Sequence, residues 1–271
     1  MVLSKRRIGH WRRFAEKVAI GAGNILQSGF NRRLRIDYKG RINPVTEYDV
    51  KSERFITSQI RREFPDHAIL AEEGSDFDEP STCRWVIDPL DGTVNYAHGF
   101  PVYCVSIALQ YENNSVVGVV YDPQRQELFS AGHGVGARLN GKKISVSGES
   151  SLQRALLATG FAYNISTARR NNLGLFARMA RLVQGVRRPG SAAIDLCWLA
   201  AGRLDGFWEL HLHPWDTAAA ILIVQEAGGC VSRINGKPYS IFDQDILASN
   251  GRLHATMMSA LAGRRRSNHR T

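Results

Sequence analysis

The chain has 271 residues, 44% of them hydrophobic and 22% charged, with a formal net charge of +10. That length accommodates one large domain or two abutting ones, and the balance excludes a disordered chain, a collagen or a coiled coil. The longest apolar run, Ala218–Val224, falls far short of the roughly 20 residues needed to span a bilayer.

The charge is unevenly spread. Residues 1–41 hold eleven Lys/Arg against Glu16 and Asp37, and residues 264–271 hold four Arg, which leaves the interior mildly acidic. Basic ends attract RNA, DNA or anionic lipid, but the plainer expectation is a pair of solvated tails. Cys83, Cys104, Cys197 and Cys230 are scattered without a C-x-x-C pair, unlike a disulfide scaffold or a zinc ribbon. No apolar signal segment opens the chain, and a reducing cytoplasm is the expected compartment.

In chain order, Trp11, Phe14, Ala15, Val18, Ala19 and Ile25–Leu26 recur at helical spacing and predict a first helix. Residues 37–44 read as a loop. Thr46 is placed to cap a second helix whose apolar positions are Phe55, Ile56, Ile60 and Phe64, closed by Pro65. His67–Ala71 predicts a short strand running into Glu72-Glu73. Trp85-Val86-Ile87 predicts another, ended by Asp88-Pro89-Leu90-Asp91-Gly92. Segments 102–110 and 116–121 flank Glu112-Asn113-Asn114 as a hairpin, and Leu128–Ala131 adds a third strand.

In the second half, Leu156–Thr159 and Gly206–His211 predict strands. Leu173–Val183, Asp195–Ala201 and Thr217–Ala227 predict helices, the last closed by Gly228-Gly229. This mixed order predicts an α/β or α+β fold of stacked layers. Two halves of one compact unit are expected: 1–145, carrying most acidic candidates, and 146–271, carrying Asp216 and a basic tail from about 264.

The acids collect at element ends: Asp49 at a helix start, Glu72-Glu73, Asp88 and Asp91 after strands, and Asp216 before an apolar helix. Hard divalent cations such as Mg²⁺ prefer oxygen ligands, and a pair of them can clamp the attacking and leaving oxygens of a phosphoryl transfer. In Asp88-Pro89-Leu90-Asp91-Gly92-Thr93-Val94-Asn95, Pro89 holds Asp88 extended, and the turn lets Asp88 and Asp91 face one point beside the Leu90 carbonyl. Gly92 admits an anion close to the backbone, and amides of Gly92 and Thr93 that open a helix would point at a phosphate. Each piece has a plainer reading: Asp-Gly is a common turn, Asp216 a good N-cap, and Glu72-Glu73 an ordinary solvated loop.

Taken together, Asn43–Asp49, Ala71-Glu72-Glu73-Gly74, Trp85–Asn95, Gly118–Tyr121, Pro214-Trp215-Asp216 and Glu226–Gly229 resemble the inositol monophosphatase family, in order from about residue 10 to about 260. The resemblance implies a layered αβαβα sandwich and a lithium-sensitive, Mg²⁺-dependent phosphatase, usually dimeric. It implies about two or three metal ions, held by Glu72, Asp88, the Leu90 carbonyl, Asp91 and Asp216. It gives Thr93 and Asp49 the attacking water, with Glu73 in support. Leu90, Gly92, Thr93, Gly190, Ser191, Ala192, Glu209 and Asp216 fall at its substrate contacts. One departure is Ala220, where the family pattern has Gly.

The substrate expected from these residues is a monophosphate of inositol or a related polyol, because Glu209 would repel a second phosphate. The pairs Arg169-Arg170 and Arg187-Arg188 could nevertheless receive one, so fructose-1,6-bisphosphate, histidinol phosphate and 3′-phosphoadenosine nucleotides are alternatives on the same site. A role in an RNA or transcription complex through the basic ends is the rival from another class; a binding module has no use for the full acid set. His211 and His213 are read as sharing one strand face in a structural role, and Trp198, Trp208 and Trp215 as core or interface residues.

Overall fold

A computed structural model describes residues 3–32, 35–39, 43–74, 81–162 and 165–263. The basic tail from 264 and Arg33 therefore lie outside the described residues. Helix α1 (Lys5–Gly29) is capped by Ser4, whose hydroxyl accepts from the Arg7 amide, and it buries Trp11, Ala15, Val18, Ala22 and Leu26 along one stripe. The N-terminal basicity is thus not a tail. Lys5, Arg6, Arg7, Arg13 and Lys17 stand exposed on a helix whose other face is core.

The expected loop at 37–44 is instead a two-stranded antiparallel ribbon, β1 (Ile36–Lys39) and β2 (Asn43–Thr46), with Ile36 opposite Thr46. Pro44 suggested a loop, but a two-stranded ribbon is all edge and tolerates a missing amide. Helix α2 (Glu47–Glu63) follows, with Thr46 and Asp49 closing a capping box.

A seven-stranded sheet is built in sequence order from β3 (Ala68–Ala71), β4 (Cys83–Asp91), β5 (Cys104–Tyr111), β6 (Asn114–Asp122), β7 (Glu127–Gly132), β8 (Gly136–Leu139) and β9 (Lys142–Lys143). Only the β3–β4 pair is parallel. The β5–β6 hairpin turns on Glu112 and Asn113, both with positive φ (48° and 63°), as a two-residue primed turn requires. Strand β4 does not stop at Ile87. It continues through Pro89 to Asp91, with Asp88 opposite Ser106, Asp91 opposite Cys104, and a bulge between. After Gly92 comes the short helix α3 (Thr93–Ala97).

The second sheet has five strands, ordered β11 (Gly185–Arg187), β10 (Leu156–Thr159), β12 (Gly206–Leu210), β14 (Asp245–Ser249) and β13 (Cys230–Ser232). Helices α4 (Leu173–Met179), α5 (Ala192–Ala200), α6 (Pro214–Glu226) and α7 (His254–Leu261) complete the described chain. Helix α4 stops at Met179 rather than Val183, and α5 starts three residues earlier than its periodicity suggested. Strand β12 ends at Leu210, because His211 adopts φ 64° and turns the chain.

Three apolar cores separate five layers: α1/α2, the seven-stranded sheet, α5/α6, the five-stranded sheet, and α4/α7. Alternate strand residues serve opposite cores. Trp85 and Ile87 face α1/α2 while Val86 faces α5/α6; Phe207 faces α5/α6 while Trp208 faces α4/α7. Sheets covered on both faces read as continuous apolar runs, as these strands do. No helix among the described residues is long and apolar enough to cross a membrane.

The closest approach of α6 to the large sheet is at Gly118, where an added β-carbon would run into the Ala219 carbonyl oxygen. Gly118→Ala is expected to destabilise the fold by roughly 1–3 kcal/mol, measured by urea unfolding. A variant as stable as the parent would mean that α6 does not press on β6 as described.

Candidate active site

The site begins with the backbone that β4 and its bulge present. The Ser52 hydroxyl of α2 donates to the Pro89 carbonyl at 2.9 Å, and the Leu90 amide donates to Asp88 Oδ1 at 3.0 Å. Gly92 has φ 95°, and a β-carbon there would lie 2.8 Å from the Val102 carbonyl oxygen, so only glycine fits the turn. The next residue opens α3, as the motif suggested.

Thr93 Oγ1 stands 3.1 Å from Asp49 Oδ1 and 3.0 Å from the Leu90 carbonyl, sharing one proton between two acceptors. Asp49 is held from behind, since its Oδ2 accepts from the Thr46 amide at 2.8 Å and the Thr46 hydroxyl at 2.6 Å. Burial above all, with repulsion from Glu73 added, pushes the Asp49 carboxyl up to about 6. One residue therefore both caps α2 and grips Thr93.

A cavity of about 630 Å³ opens beside this pair, with walls from both sheets. Glu72, Asp88, Leu90, Asp91, Gly92 and Thr93 line it from the first; Gly190, Ser191, Ala192, Glu209 and Asp216 line it from the second. Asp49 and Glu73 are not on its wall. Asp49 lies behind Thr93, and the Glu73 amide is tied to Glu53 Oε2 of α2 at 2.8 Å.

The sequence reading did not single out several wall residues. Asp195, Asn95 and Gln244 line the cavity, and so do His211, His213 and Trp215. His213 is not on strand β12 but at the start of α6, stacked on Trp215 with ring centroids 5.0 Å apart; Trp215 packs against the central core, as expected, and also lines the cavity. A lone acid within the apolar run Ala192–Cys197 was the one visible signal for Asp195. Of the four arginines named as second-phosphate candidates, only Arg188 lines the cavity; Arg170 pairs with Asp245 at 3.0 Å.

The two sheets meet chemically at Asp91. Its Oδ2 accepts from Ser191 Oγ at 2.7 Å and from the Ala193 amide at 2.8 Å, both at the start of α5. Asn95 adds a second tie, donating to Val102 and Pro189 carbonyls at 2.8 and 2.9 Å.

Burial raises the carboxyls of Asp88, Asp91 and Asp216, those of Asp88 and Asp216 well above the ordinary range. Glu72, Asp91 and Asp216 add repulsion at Asp88, against which the Leu90 amide hydrogen bond works. No three His, Cys, Asp or Glu among the described residues close into a ready-made metal cage. The acids share a cavity rather than a point. The donor set nevertheless fits a hard divalent cation: several carboxylate oxygens and the Leu90 residue line one cavity, and such ions prefer oxygen ligands.

An acid-walled cavity with a hydroxyl–carboxylate pair at its edge thus sits on a layered α/β fold. A sequence model of the inositol monophosphatase family matches residues 9–267. The chain is 47% identical to the inositol-1-monophosphatase of Synechocystis sp., over 96% of this chain and 92% of that one. It is 40% identical to the Nus factor SuhB of Pseudomonas aeruginosa, over 91% and 94% of the two chains. The solved inositol monophosphatase of Anabaena (Nostoc) sp. superposes with a TM-score of 0.87 at 41% identity, covering 95% of this chain and 97% of that one. The chain belongs to the inositol monophosphatase family and is a phosphatase.

Asp91→Asn and Asp216→Asn each remove one charge from a crowded, buried set. Both are expected to abolish phosphate release while the melting temperature holds or rises, since repulsion is relieved. Near-normal turnover in both variants would sink the assignment of these acids to the reacting centre.

Proposed function

We propose that the protein hydrolyses the monophosphate of inositol or a closely related polyol, with Mg²⁺ held by Glu72, Asp88, the Leu90 carbonyl, Asp91 and Asp216. When bound, the metal supplies charge neutralisation at the phosphoryl group and acidifies water at neutral pH. Two or three ions are part of this reading, as are a cytoplasmic location and a homodimer. The remaining chemistry belongs to the chain's own groups.

With its proton given to Asp49, the Thr93 hydroxyl would offer lone pairs that accept from an attacking water. Asp49, raised to about 6, is a base matched to neutral pH and takes the proton that the water gives up. Glu73 helps to keep it there by repulsion. The Gly92 and Thr93 amides face phosphate oxygens at the start of α3. Gly190, Ser191, Ala192 and Glu209 receive the alcohol.

The single observation carrying the choice of substrate is the chemistry of the wall opposite the phosphate end. Glu209 is buried and pushed up to about 8 by desolvation first and by Asp91 second, with Arg188 as the opposing cation. A carboxyl raised that far holds its proton at neutral pH, so it both donates to and accepts from neutral hydroxyls. The name of the Synechocystis relative supports the same alcohol.

Thr93→Val keeps shape and removes the water-orienting hydroxyl. It is expected to lower kcat by about 10²–10⁴-fold with a small change in KM, read as phosphate release in Mg²⁺ buffer. A kcat within twofold of the parent would remove Thr93 from the mechanism. A phosphate-release screen over inositol, glycerol, fructose, histidinol and adenosine phosphates tests the substrate, with inositol 1-phosphate expected to lead. Glu209→Ala is expected to raise KM for it, and a flat or bisphosphate-led profile would overturn the polyol reading.

A further inference from the structure

Asp195 is a carboxylate that nothing described so far employs. It sits in α5 and is 1% exposed, yet it lines the cavity. Its Oδ1 is sealed from solvent and has no hydrogen-bond partner. Buried oxygens without partners are rare, because each loses its water without recompense.

The ordinary structural uses of an acid here are already filled. Ser191 caps α5, accepting from the Ile194 amide at 3.3 Å, and the Asp195 amide bonds to the Ser191 carbonyl as any helical amide does. No Lys or Arg forms an ion pair with Asp195 among the described residues. Its nearest charges are Glu209 and Asp91, which repel it, and Arg188, which attracts it. Gly160 leaves room on the same side: a β-carbon there would run into the Glu209 carboxylate. Two acids from different elements, α5 and β12, thus meet on one wall beneath one arginine.

We infer that Asp195 is a specificity-determining residue that, beside Glu209, hydrogen-bonds the hydroxyls of a polyhydroxylated alcohol. This inference rests on the polyol-phosphate reading above and adds to it a second acceptor, so that at least two free hydroxyls of the alcohol are recognised. A buried carboxyl oxygen accepts whether or not its twin carries a proton, and a hydroxyl, which both donates and accepts, suits either state. A site built to hydrogen-bond a hydroxyl discriminates strongly against an alcohol that lacks it.

The test compares the purified full chain with Asp195→Ala and Asp195→Asn on inositol 1-phosphate and on 4-nitrophenyl phosphate, whose alcohol has no further hydroxyl. The quantity read is the ratio of kcat/KM for the first substrate to that for the second. In Asp195→Ala this ratio is expected to fall roughly 10- to 100-fold, chiefly through KM. Asp195→Asn, which restores one acceptor oxygen, recovers part of it. Melting temperature is expected to hold or rise in Asp195→Ala, because an unpartnered buried group has been removed. An unchanged ratio overturns the inference, and so does an equal loss on both substrates with a lowered melting temperature, which marks a structural role. If the parent chain cleaves 4-nitrophenyl phosphate but no polyol phosphate, the polyol reading itself falls and takes this one with it. A parent active on inositol 1-phosphate with an indifferent Asp195→Ala sinks this inference alone.

Discussion

Asp91 ends a strand of the first sheet, and the groups that grip its carboxylate open a helix packed against the second. The two bonds to Oδ2, from Ser191 Oγ at 2.7 Å and the Ala193 amide at 2.8 Å, tie the end of β4 to the start of α5. Two donors converging on one oxygen fix its direction, which a single bond would not. Gly190, Ser191 and Ala192 are delivered to the wall by the same contact. Without it the two sheets would still be layers, but their acids would have no common register.

Around that tie the protein spends stability to keep charge concentrated. Asp88, Asp91, Asp195, Glu209 and Asp216 are all raised first by burial, and all but Asp91 by neighbouring acids as well. Such a set persists because the surrounding scaffold is stiff. Ser52 holds the Pro89 carbonyl, Glu53 holds the Glu73 amide, and the Asp49–Thr46 box fixes the start of α2. Strain and repulsion at a working site, offset by ordinary packing elsewhere, is a common pattern in enzymes.

What could be read from the sequence follows the range of the forces involved. The Thr46–Asp49 box, the helix stripe through Trp11 and Leu26, and the segment Asp88–Asn95 are local: each rests on residues within a turn or two, and each stands where its spacing put it. Long-range pairing was hidden. Pro89 reads as a terminator, yet β5 supplies a partner that carries β4 on to Asp91 through a bulge. Strands β13 and β14 have no strong period and exist because β12 offers an edge. The spacing of His211 and His213 suggested one strand face, but a left-handed residue at 211 breaks the pattern. Asp195 was visible only as an acid in an apolar run, since its unmet oxygen is a property of three-dimensional packing.

Helix α6 buries every residue from Thr217 to Val224, and α5 buries all but Trp198 of its nine. Helices with no watery face are held by burial between the two sheets rather than by their own turns, so the middle layer depends on both sheets for its stability. Ser191, Ala192 and Asp216 are carried by that layer. A partly assembled chain would therefore own secondary structure but no pocket. Turnover in this molecule is a report on the integrity of the whole, and any local opening that frees α5 or α6 switches it off at once.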